Sequence, residues 1–555
     1  MKKNIIKWGA ILLLGTSTAC HNLLDLEPKT EWTTDNFYNT EKKADIAVAG
    51  MLSQLMGPNA FGENLSMSMV YGTDEGYYSR GWDDNWPVST NTHVSNSSAV
   101  EGAWRALYTV INNANLMIHQ MNPEDFSEEK YNFYIAEAKF LRAFAYQNLA
   151  SWWNEVPLRV KPTLVQSDNL MPAASQKEIY AQIEEDYKFA MQHLPHSQDG
   201  DYIPGRPNKM AAEGLLARAY MKMAGYPMKE SGYYDSALVH LENIIYKDGW
   251  HDLRTSSDDS LGYRKLFLDY IGGTYELKES LFEITYNNNL EIGMPGMSYI
   301  GNSNGLTFDY RAQGHPGTNH RSVQVSPVMS MKYEGDDKRR EWNIPGIQYT
   351  AAQKVTRVAN IFAPQYTPGK FRKWEPANWD DVDQDNEVEE YVLLTGETMV
   401  ERNQSPINFP ILRFSDVLLM YAEASNEKFG SPTAEAIECL NRVRRRAGLE
   451  DIEIANLEII ASKGAFFEEI VDERLREFAF EGIRKHDLIR WEKLGEKLQE
   501  LDQAMKEHPS YDPAFWTIPG ITRCINNFNP AKHLELPYPL QELNVNTQLQ
   551  QKSNW

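Results

Sequence analysis

The sequence has little cysteine: three residues in a chain of 555, too few for a fold held by a disulfide framework. They are Cys20, Cys439 and Cys524. Cys439 falls within a helical pattern, which predicts a buried, small apolar side chain. The sequence leaves open whether Cys439 and Cys524 pair.

Basic residues are also in the minority, with 55 Lys and Arg against 77 Asp and Glu and a net charge of −22. Such a field repels nucleic acid, so a DNA or RNA partner is not expected. The signatures H-E-x-x-H, C-x-x-C and the phosphate loop are all missing. After the first twenty residues, no stretch is apolar enough to span a bilayer.

The N-terminus has the pattern of a secretory signal. Lysines precede an apolar core at Trp8–Leu14, and small residues follow at Gly15–Ala19. A cysteine directly after such a segment looks like a bacterial lipoprotein cleavage site, although Ser17 stands where Leu or Val is usual. We predict a signal peptide at 1–19 and a lipid anchor on Cys20, with an ordinary signal and an incidental cysteine as the alternative.

The predicted fold is mainly α-helical, because apolar residues recur at helical spacing over 41–250 and 410–495. Helices are predicted at Glu41–Leu55, Glu101–Met121, Phe133–Leu158, Gln176–Leu194, Lys209–Ala224 and Tyr233–Tyr246, within Pro410–Gly448, and from Phe467 to Trp491. Pairs separated by Pro or Gly turns are typical of a tetratricopeptide-like stack with an irregular period. The helix at Phe133–Leu158 has an alanine-rich face that allows close approach, so we predict that it is the spine of the stack.

Residues 251–409 show little helical periodicity and are rich in Gly, Pro, Asn and aromatic residues. We predict one short strand there, Glu279–Tyr286, and otherwise long loops. Loops of this length are usually functional or disordered, and the aromatic content argues against disorder. The mature chain, 20–555, is predicted to be a single domain of helical scaffold, loop-rich insertion and a C-terminal tail at 496–555.

Residues 70–96, named the aromatic loop, crowd rings among Gly, Asp, Asn and Arg without any regular period. The rings are Tyr71, Tyr77, Tyr78, Trp82 and Trp86. Flat rings beside polar groups suit stacking on the apolar C–H faces of sugars. Packing of the same rings onto the helices is the alternative, and the two readings stay open.

Charges of both signs alternate along the predicted helix Phe467–Trp491. They are Glu468, Glu469, Asp472, Glu473, Arg474, Arg476 and Glu477. We predict a solvated, salt-bridged helix face here and not a set of catalytic acids.

Five stretches carry a resemblance to a known family. They are Leu24–Gly50, Glu137–Leu158, Arg413–Glu427, Asp472–Trp491 and Leu534–Trp555. In this order they resemble the SusD/RagB family, nutrient-binding outer-membrane lipoproteins of Bacteroidetes. The resemblance implies a helical fold on tetratricopeptide-like repeats and a TonB-dependent SusC-like barrel on which the protein sits as a lid. It implies oligosaccharide ligands in most members and peptides in some, with neither cleavage nor a cofactor.

The resemblance also implies where a ligand would bind, since members place the site on the loop after the first helix and on loops of the middle region. Carried over to this chain, the candidates are Asp74, Arg80, Trp82, Trp86, Asn287, Tyr310 and Trp342. The rings would be stacking platforms, and Asp74, Arg80 and Asn287 would meet sugar hydroxyls. For the middle-region residues, packing is the alternative. Surface export in these bacteria is linked to acids soon after the lipidated cysteine, and only Asp25 and Glu27 follow here.

Two further motifs are weak. Gly301–Gly305 fits the G-x-S-x-G pattern of hydrolases, which requires a following helix that this sequence does not predict. Asp381–Asp385 begins like a calcium loop, but Asn386 replaces the turn glycine and Val392 the bidentate glutamate, so no metal site is predicted. We therefore expect a glycan-binding surface lipoprotein, with peptide import and, less favoured, glycoside hydrolysis by a spatial pair of carboxylates as alternatives.

Overall fold

The computed structural model describes residues 37–80, 83–256, 262–286, 298–309, 319, 321–380, 382, 390–395, 404–514 and 518–555. Its α-helices are α1 Glu41–Met56, α2 Ser98–Gln120, α3 Glu128–Trp153, α4 Gln176–His193, α5 Lys209–Ala224, α6 Tyr233–Glu242, α7 Gly262–Gly272, α8 Pro327–Met331, α9 Arg339–Asn343, α10 Phe414–Phe429, α11 Ala434–Arg446, α12 Ile452–Ala455, α13 Lys463–Glu477, α14 Arg484–Arg490, α15 Leu494–Glu507, α16 Ile518–Asn526 and α17 Leu540–Val545. None of these helices is long and apolar enough to cross a membrane.

The strands are short and form small sheets. They are β1 Gly76–Tyr78, β2 Ser280–Ile284, β3 Thr307–Phe308, β4 Val323–Val325, β5 Ile347–Tyr349, β6 Val355–Arg357, β7 Trp374–Pro376, β8 Tyr391–Leu393 and β9 Phe409–Arg413. The pairs β1–β4, β2–β9, β5–β6 and β7–β8 are antiparallel, and β3 joins β5 in parallel. The fold is therefore mainly helical, as predicted.

Consecutive helices pack against one another from α1 to α6, and α6 packs on α10, which contacts α11 and α13. The stack thus continues across the middle region, as tetratricopeptide-like pairing predicts. At its centre is α3, which contacts α1, α2, α4 and α5. Alanines at 136, 138, 143 and 145 are fully buried on it, and these small side chains allow the close approach of the neighbouring helices.

The spine helix begins and ends about five residues earlier than predicted. The Ser127 hydroxyl accepts a hydrogen bond from the Lys130 backbone N–H and so caps the N-terminus of α3. The helix ends at Trp153, because Asn154 has a positive φ of 58° and turns the chain. Pro157, which lies within the predicted range Phe133–Leu158, is therefore beyond the end of the helix.

The middle region is more ordered than the prediction of one strand and long loops. The strand near Glu279–Tyr286 is present as β2, but the helices α7, α8 and α9 and six further short strands were missed. Each of these strands has only two or three residues, too few for a periodic pattern.

The predicted continuous helix from Phe467 to Trp491 is wrong, since it is divided into α13 and α14. Between them, Phe480 and Gly482 have φ values of 66° and 78°, which no α-helix contains. The break turns the chain so that α14 starts beside the aromatic loop.

The charged face of α13 is also different from the prediction. Glu468 is exposed as expected, but Glu473 and Glu477 are fully buried. Glu477 accepts hydrogen bonds from Arg339, Arg413 and Arg446. Burial alone would raise the pKa of Glu477, but these guanidinium groups hold it well below its usual value. Because the arginines come from α9, β9 and α11, the face is a buried ion-pair network that joins the stack to the middle region.

The C-terminal segment, predicted as a tail, contains α15 to α17 and returns to the spine. The Leu536 backbone N–H donates to the Trp152 carbonyl at 2.8 Å, and the Trp153 indole N–H donates to the Pro537 carbonyl at 2.8 Å.

Cys439 and Cys524 are both buried free thiols, so the bridge left open by the sequence does not form, and the predicted burial of Cys439 is confirmed. The single-domain division stays a prediction.

Candidate functional site

The aromatic loop, together with the preceding Met69, has a base, residues 69–78 and 86–90, and a tip, residues 79–85. The base is tightly closed at Gly72, whose φ is 85° and where a Cβ would lie 2.1 Å from the Ser89 carbonyl oxygen. Only glycine fits there. Strand β1, in the base, pairs with β4 of the middle region and brings the two regions together.

Asp74 belongs to this base and is 1% exposed. Its two carboxylate oxygens accept hydrogen bonds from Arg484 Nε at 2.9 Å and Nη2 at 2.6 Å. Such a bidentate pair uses both oxygens for the scaffold. The structure therefore places Asp74, a predicted partner of sugar hydroxyls, in a buried ion pair at the start of α14.

Lys485 anchors both arms of the base. Its ammonium group donates to the carbonyl oxygens of Met69, Tyr71 and Val88 at 3.3, 3.2 and 3.1 Å. Three donors meet three acceptors, so the buried ammonium is satisfied. Burial nevertheless lowers the Lys485 pKa to about 8, because no carboxylate balances the charge.

Glu75 completes the contact with the helix break, since its carboxylate accepts a hydrogen bond from the Phe480 backbone N–H. Burial raises the Glu75 pKa to about 8 against this bond and the nearby cations. Asp74, Glu75 and Lys485 thus tie the base to residues 480–485.

The predicted stacking rings at Trp86 and Trp342 are each only 4% exposed. Trp86 lies between Tyr71 and Tyr78, with ring centroids 6.2 and 5.0 Å away and near-parallel planes. It therefore packs in the base, which is the alternative that the sequence left open. Trp342 stacks on the Arg372 guanidinium, whose carbon lies 4.0 Å from a ring centroid.

At the tip, several charged side chains are accessible. The Arg80 side chain is 34% exposed and lies 3.9 Å from the Asp83 carboxylate, which also accepts a hydrogen bond from the Tyr78 hydroxyl at 2.8 Å. Arg523 of α16 donates to the Asp83 carbonyl at 2.8 Å and pairs with Asp84, which is 72% exposed. Guanidinium donors and carboxylate acceptors of Arg80, Asp83, Asp84 and Arg523 together form a polar rim at the tip.

Of the predicted site residues that the structure describes, only Arg80 is in this rim. Trp82, Asn287, Tyr310 and the lipidation site Cys20 lie outside the described residues. Sequence reasoning missed Asp83, Asp84 and Arg523. Arg523 is about 440 positions away along the chain, and no local sequence pattern predicts its contact with Asp83.

The hydrolase pattern Gly301–Gly305 leads into strand β3 and not into a helix. Ser303 is 2% exposed, and the Asn304 side-chain carbonyl accepts a hydrogen bond from the Gly301 backbone N–H at 2.7 Å. A nucleophile elbow needs an exposed serine at a strand-to-helix turn. Ser303 is therefore buried in the scaffold and lacks the exposure that a nucleophile elbow requires. The calcium-like segment lies outside the described residues, except for Val382.

One cluster of potential metal ligands occurs in the described part of the chain: His196, Asp248 and His251. Asp248 contacts His196 Nε2 at 2.6 Å and His251 Nδ1 at 2.8 Å. His196 Nδ1 accepts the Gln198 backbone N–H at 3.1 Å, so the neutral ring carries its proton on Nε2. Burial alone would raise the Asp248 pKa, but the hydrogen bonds from both histidines lower it. The three side chains satisfy one another without an ion.

Comparison with known proteins identifies the fold. A model of the SusD family matches residues 281–555, and a second model, described as starch-binding and associating with the outer membrane, matches residues 22–221. A SusD-like protein of Formosa agariphila is 26% identical over 98% of this chain and 97% of its own length.

The similarity extends to solved structures. A SusD homologue from Bacteroides thetaiotaomicron superposes with a TM-score of 0.78 at 26% identity, covering 94% of this chain and 98% of its own. A laminarin-binding SusD-like protein superposes with a TM-score of 0.67 at 23% identity, covering 93% and 100%. Since the two family models match most of the sequence from residue 22 to its end, the chain belongs to the SusD/RagB family.

Proposed function

We propose that this protein is a cell-surface lipoprotein that binds oligosaccharide and delivers it to a TonB-dependent SusC-like barrel without cleaving it. The observation that carries the proposal is the accessible polar rim of Arg80, Asp83, Asp84 and Arg523 on a buried base. The starch-binding description of the matching family model and the laminarin-binding relative support a carbohydrate ligand.

The rim has the chemistry that a sugar requires. Hydroxyl groups donate to carboxylates and accept from guanidinium groups, and a pyranose ring stacks on an indole. Trp82, between Arg80 and Asp83 in the sequence, is the ring that we propose for this stacking. Asn287 and Tyr310 stay proposed contacts. Asp74 and Lys485 hold the base, so the two ends of the tip are fixed before ligand binds. This reduces the conformational entropy that the tip loses on binding.

The anchor and the partner are the finer parts of the proposal. Cleavage before Cys20 and acylation of its thiol and amine would hold the protein on the outer membrane, where a barrel partner could receive the ligand. Mass spectrometry of the mature protein is expected to find acyl chains on Cys20, and Cys20→Ala is expected to release the protein from the membrane. An unmodified mature N-terminus would contradict the anchor.

Isothermal titration against starch, laminarin, xylan, mannan, pectin and chondroitin sulfate tests the binding function. We expect saturable binding to at least one polysaccharide, and chromatography of the bound polysaccharide is expected to find no shorter products after long incubation. Binding of peptides but of no polysaccharide would replace the proposal with peptide import. Shortened products would replace it with glycoside hydrolysis.

A further inference from the structure

Outside the aromatic loop, two indole rings are stacked on a buried guanidinium group, and this arrangement suits a ligand. The guanidinium carbon of Arg372 lies 4.0 Å from the Trp342 ring centroid and 5.4 Å from that of Trp379. Arg372 is 1% exposed and donates from Nε to the Gly369 carbonyl at 2.8 Å and from Nη2 to the Glu341 carbonyl at 3.2 Å. A cation fixed by these bonds also fixes the rings stacked on it.

Trp379 is half-buried, whereas its neighbours Asn378 and Asp380 are exposed. The Asp380 backbone N–H donates to the Asn378 side-chain carbonyl at 3.1 Å, which sets the direction of the amide. An accessible indole between an amide and a carboxylate has the same composition as the tip of the aromatic loop. Unlike Trp86, this ring is not enclosed.

Two buried polar atoms beside these rings have no hydrogen-bond partner among the described residues. They are the indole nitrogen of Trp342 and the Oε2 atom of Glu375, which lies 3.9 Å from Arg372 Nη1, beyond hydrogen-bond distance. The other oxygen of Glu375 accepts a hydrogen bond from Arg264 at 2.5 Å, and the Arg264 side chain is 38% exposed. Buried groups of this kind are normally satisfied by water or by a ligand. The Arg264 guanidinium carbon also lies 5.5 Å from the Trp342 ring centroid, so Arg264 brings a polar group to the edge of the stacked rings.

We propose that Trp379, with Asn378, Asp380 and Arg264, forms a second sugar-binding surface, named the Trp379 platform. Its ligand class is a neutral pyranose unit of a polysaccharide, stacked on the indole face and hydrogen-bonded by the flanking amide, carboxylate and guanidinium groups. The platform rests on the proposed glycan-binding function and extends it to a second contact point. Two contact points on one chain raise the apparent affinity for a long glycan.

Affinity electrophoresis in gels that contain starch, laminarin, xylan, mannan, pectin or chondroitin sulfate tests the platform. In the gel that retards the wild-type protein most, Trp379→Ala is expected to weaken the apparent affinity about tenfold. Trp379→Phe keeps a ring and is expected to retain most of the affinity. Phe429→Ala is the matched control, because it removes a 58% exposed ring at the end of α10, and no change is expected.

Hydroxyl-radical footprinting of the wild-type chain gives a readout that does not depend on the folding of any variant. The retarding polysaccharide is expected to reduce oxidation of Trp379 severalfold. Equal oxidation with and without it, or wild-type retardation of Trp379→Ala, would overturn the platform while leaving glycan binding in place. Retardation of the wild-type protein by none of the six polysaccharides would overturn both proposals.

Discussion

The base and the tip of the aromatic loop use the same pairing chemistry in opposite environments. Asp74 and Arg484 form a bidentate pair whose side chains are 1% and 3% exposed. Asp84 and Arg523 form a pair whose side chains are 72% and 25% exposed. An aspartate–arginine pair is therefore part of the scaffold when it is buried, and it is accessible from solvent when it is not. Composition alone does not separate the two.

The largest expected effect is at the buried pair. Arg484→Met leaves the Asp74 carboxylate buried without a partner, so we expect the free energy of unfolding to fall by about 3–5 kcal/mol. Urea denaturation at pH 7 measures it. Arg523→Met is the matched control at the tip, and a loss there as large as at Arg484 would contradict the distinction between base and tip.

A pH-dependent effect is expected at Glu75. Its pKa is raised by burial to about 8 in the fold, so between the unfolded value and pH 8 the folded state holds a proton that the unfolded state has released. This contribution to stability is complete below the unfolded pKa and is lost as pH rises through 8.

Glu75→Gln keeps the shape of the side chain and cannot titrate. Between pH 5 and pH 8 the wild-type protein should lose stability relative to this variant by on the order of 3 kcal/mol. Urea titrations at several pH values measure the difference. Parallel stability curves for the two proteins would show that Glu75 is ionised in the fold.

A smaller effect is expected at Lys485. Lys485→Met removes the donor for the carbonyls of Met69, Tyr71 and Val88, and we expect a loss of about 1–3 kcal/mol because buried acceptors are left without a partner. Hydrogen exchange of residues 69–90 should accelerate, while exchange in α3 stays slow. Equal acceleration in α3 would mean that Lys485 supports the whole stack.

The smallest stability effect is expected at the exposed pair. Arg523→Met should change the free energy of unfolding by less than about 1 kcal/mol, since exposed ion pairs contribute little. Its effect on polysaccharide binding should be larger than its effect on stability. Titration calorimetry and urea denaturation of the same preparation compare the two, and unchanged binding would remove Arg523 from the site.

The sequence predicts the stack well, because helical periodicity is a local pattern. The prediction missed the Ser127 cap and placed the spine helix about five residues too late. It does not predict the environment of charged residues, since that depends on partners far along the chain. The alternation on α13 is typical of a solvated face, yet Glu477 is buried against arginines from three other elements. In the same way, Asp74 meets Arg484 some 410 positions away.

The break between α13 and α14 is a second feature that the sequence pattern does not predict. The segment 467–491 has helical spacing throughout, but the backbone leaves the helix over residues 478–483, with positive φ at Phe480 and Gly482. This break in the helix places Arg484 and Lys485 in contact with the base of the aromatic loop. Within the stretch that resembles the family motif, Asp472–Trp491, the charged residues Glu477, Arg484 and Lys485 thus maintain the scaffold, and the accessible residues at the tip lie outside it.

One titration tests glycan binding at the tip most directly. Wild-type protein and the double variant Trp82→Ala, Arg523→Met are titrated with the polysaccharide that the wild type binds. We expect the double variant to lose at least tenfold in affinity, with a thermal midpoint within about 2 °C of the wild type. Equal affinity in the two proteins would contradict a binding site at the tip of the aromatic loop.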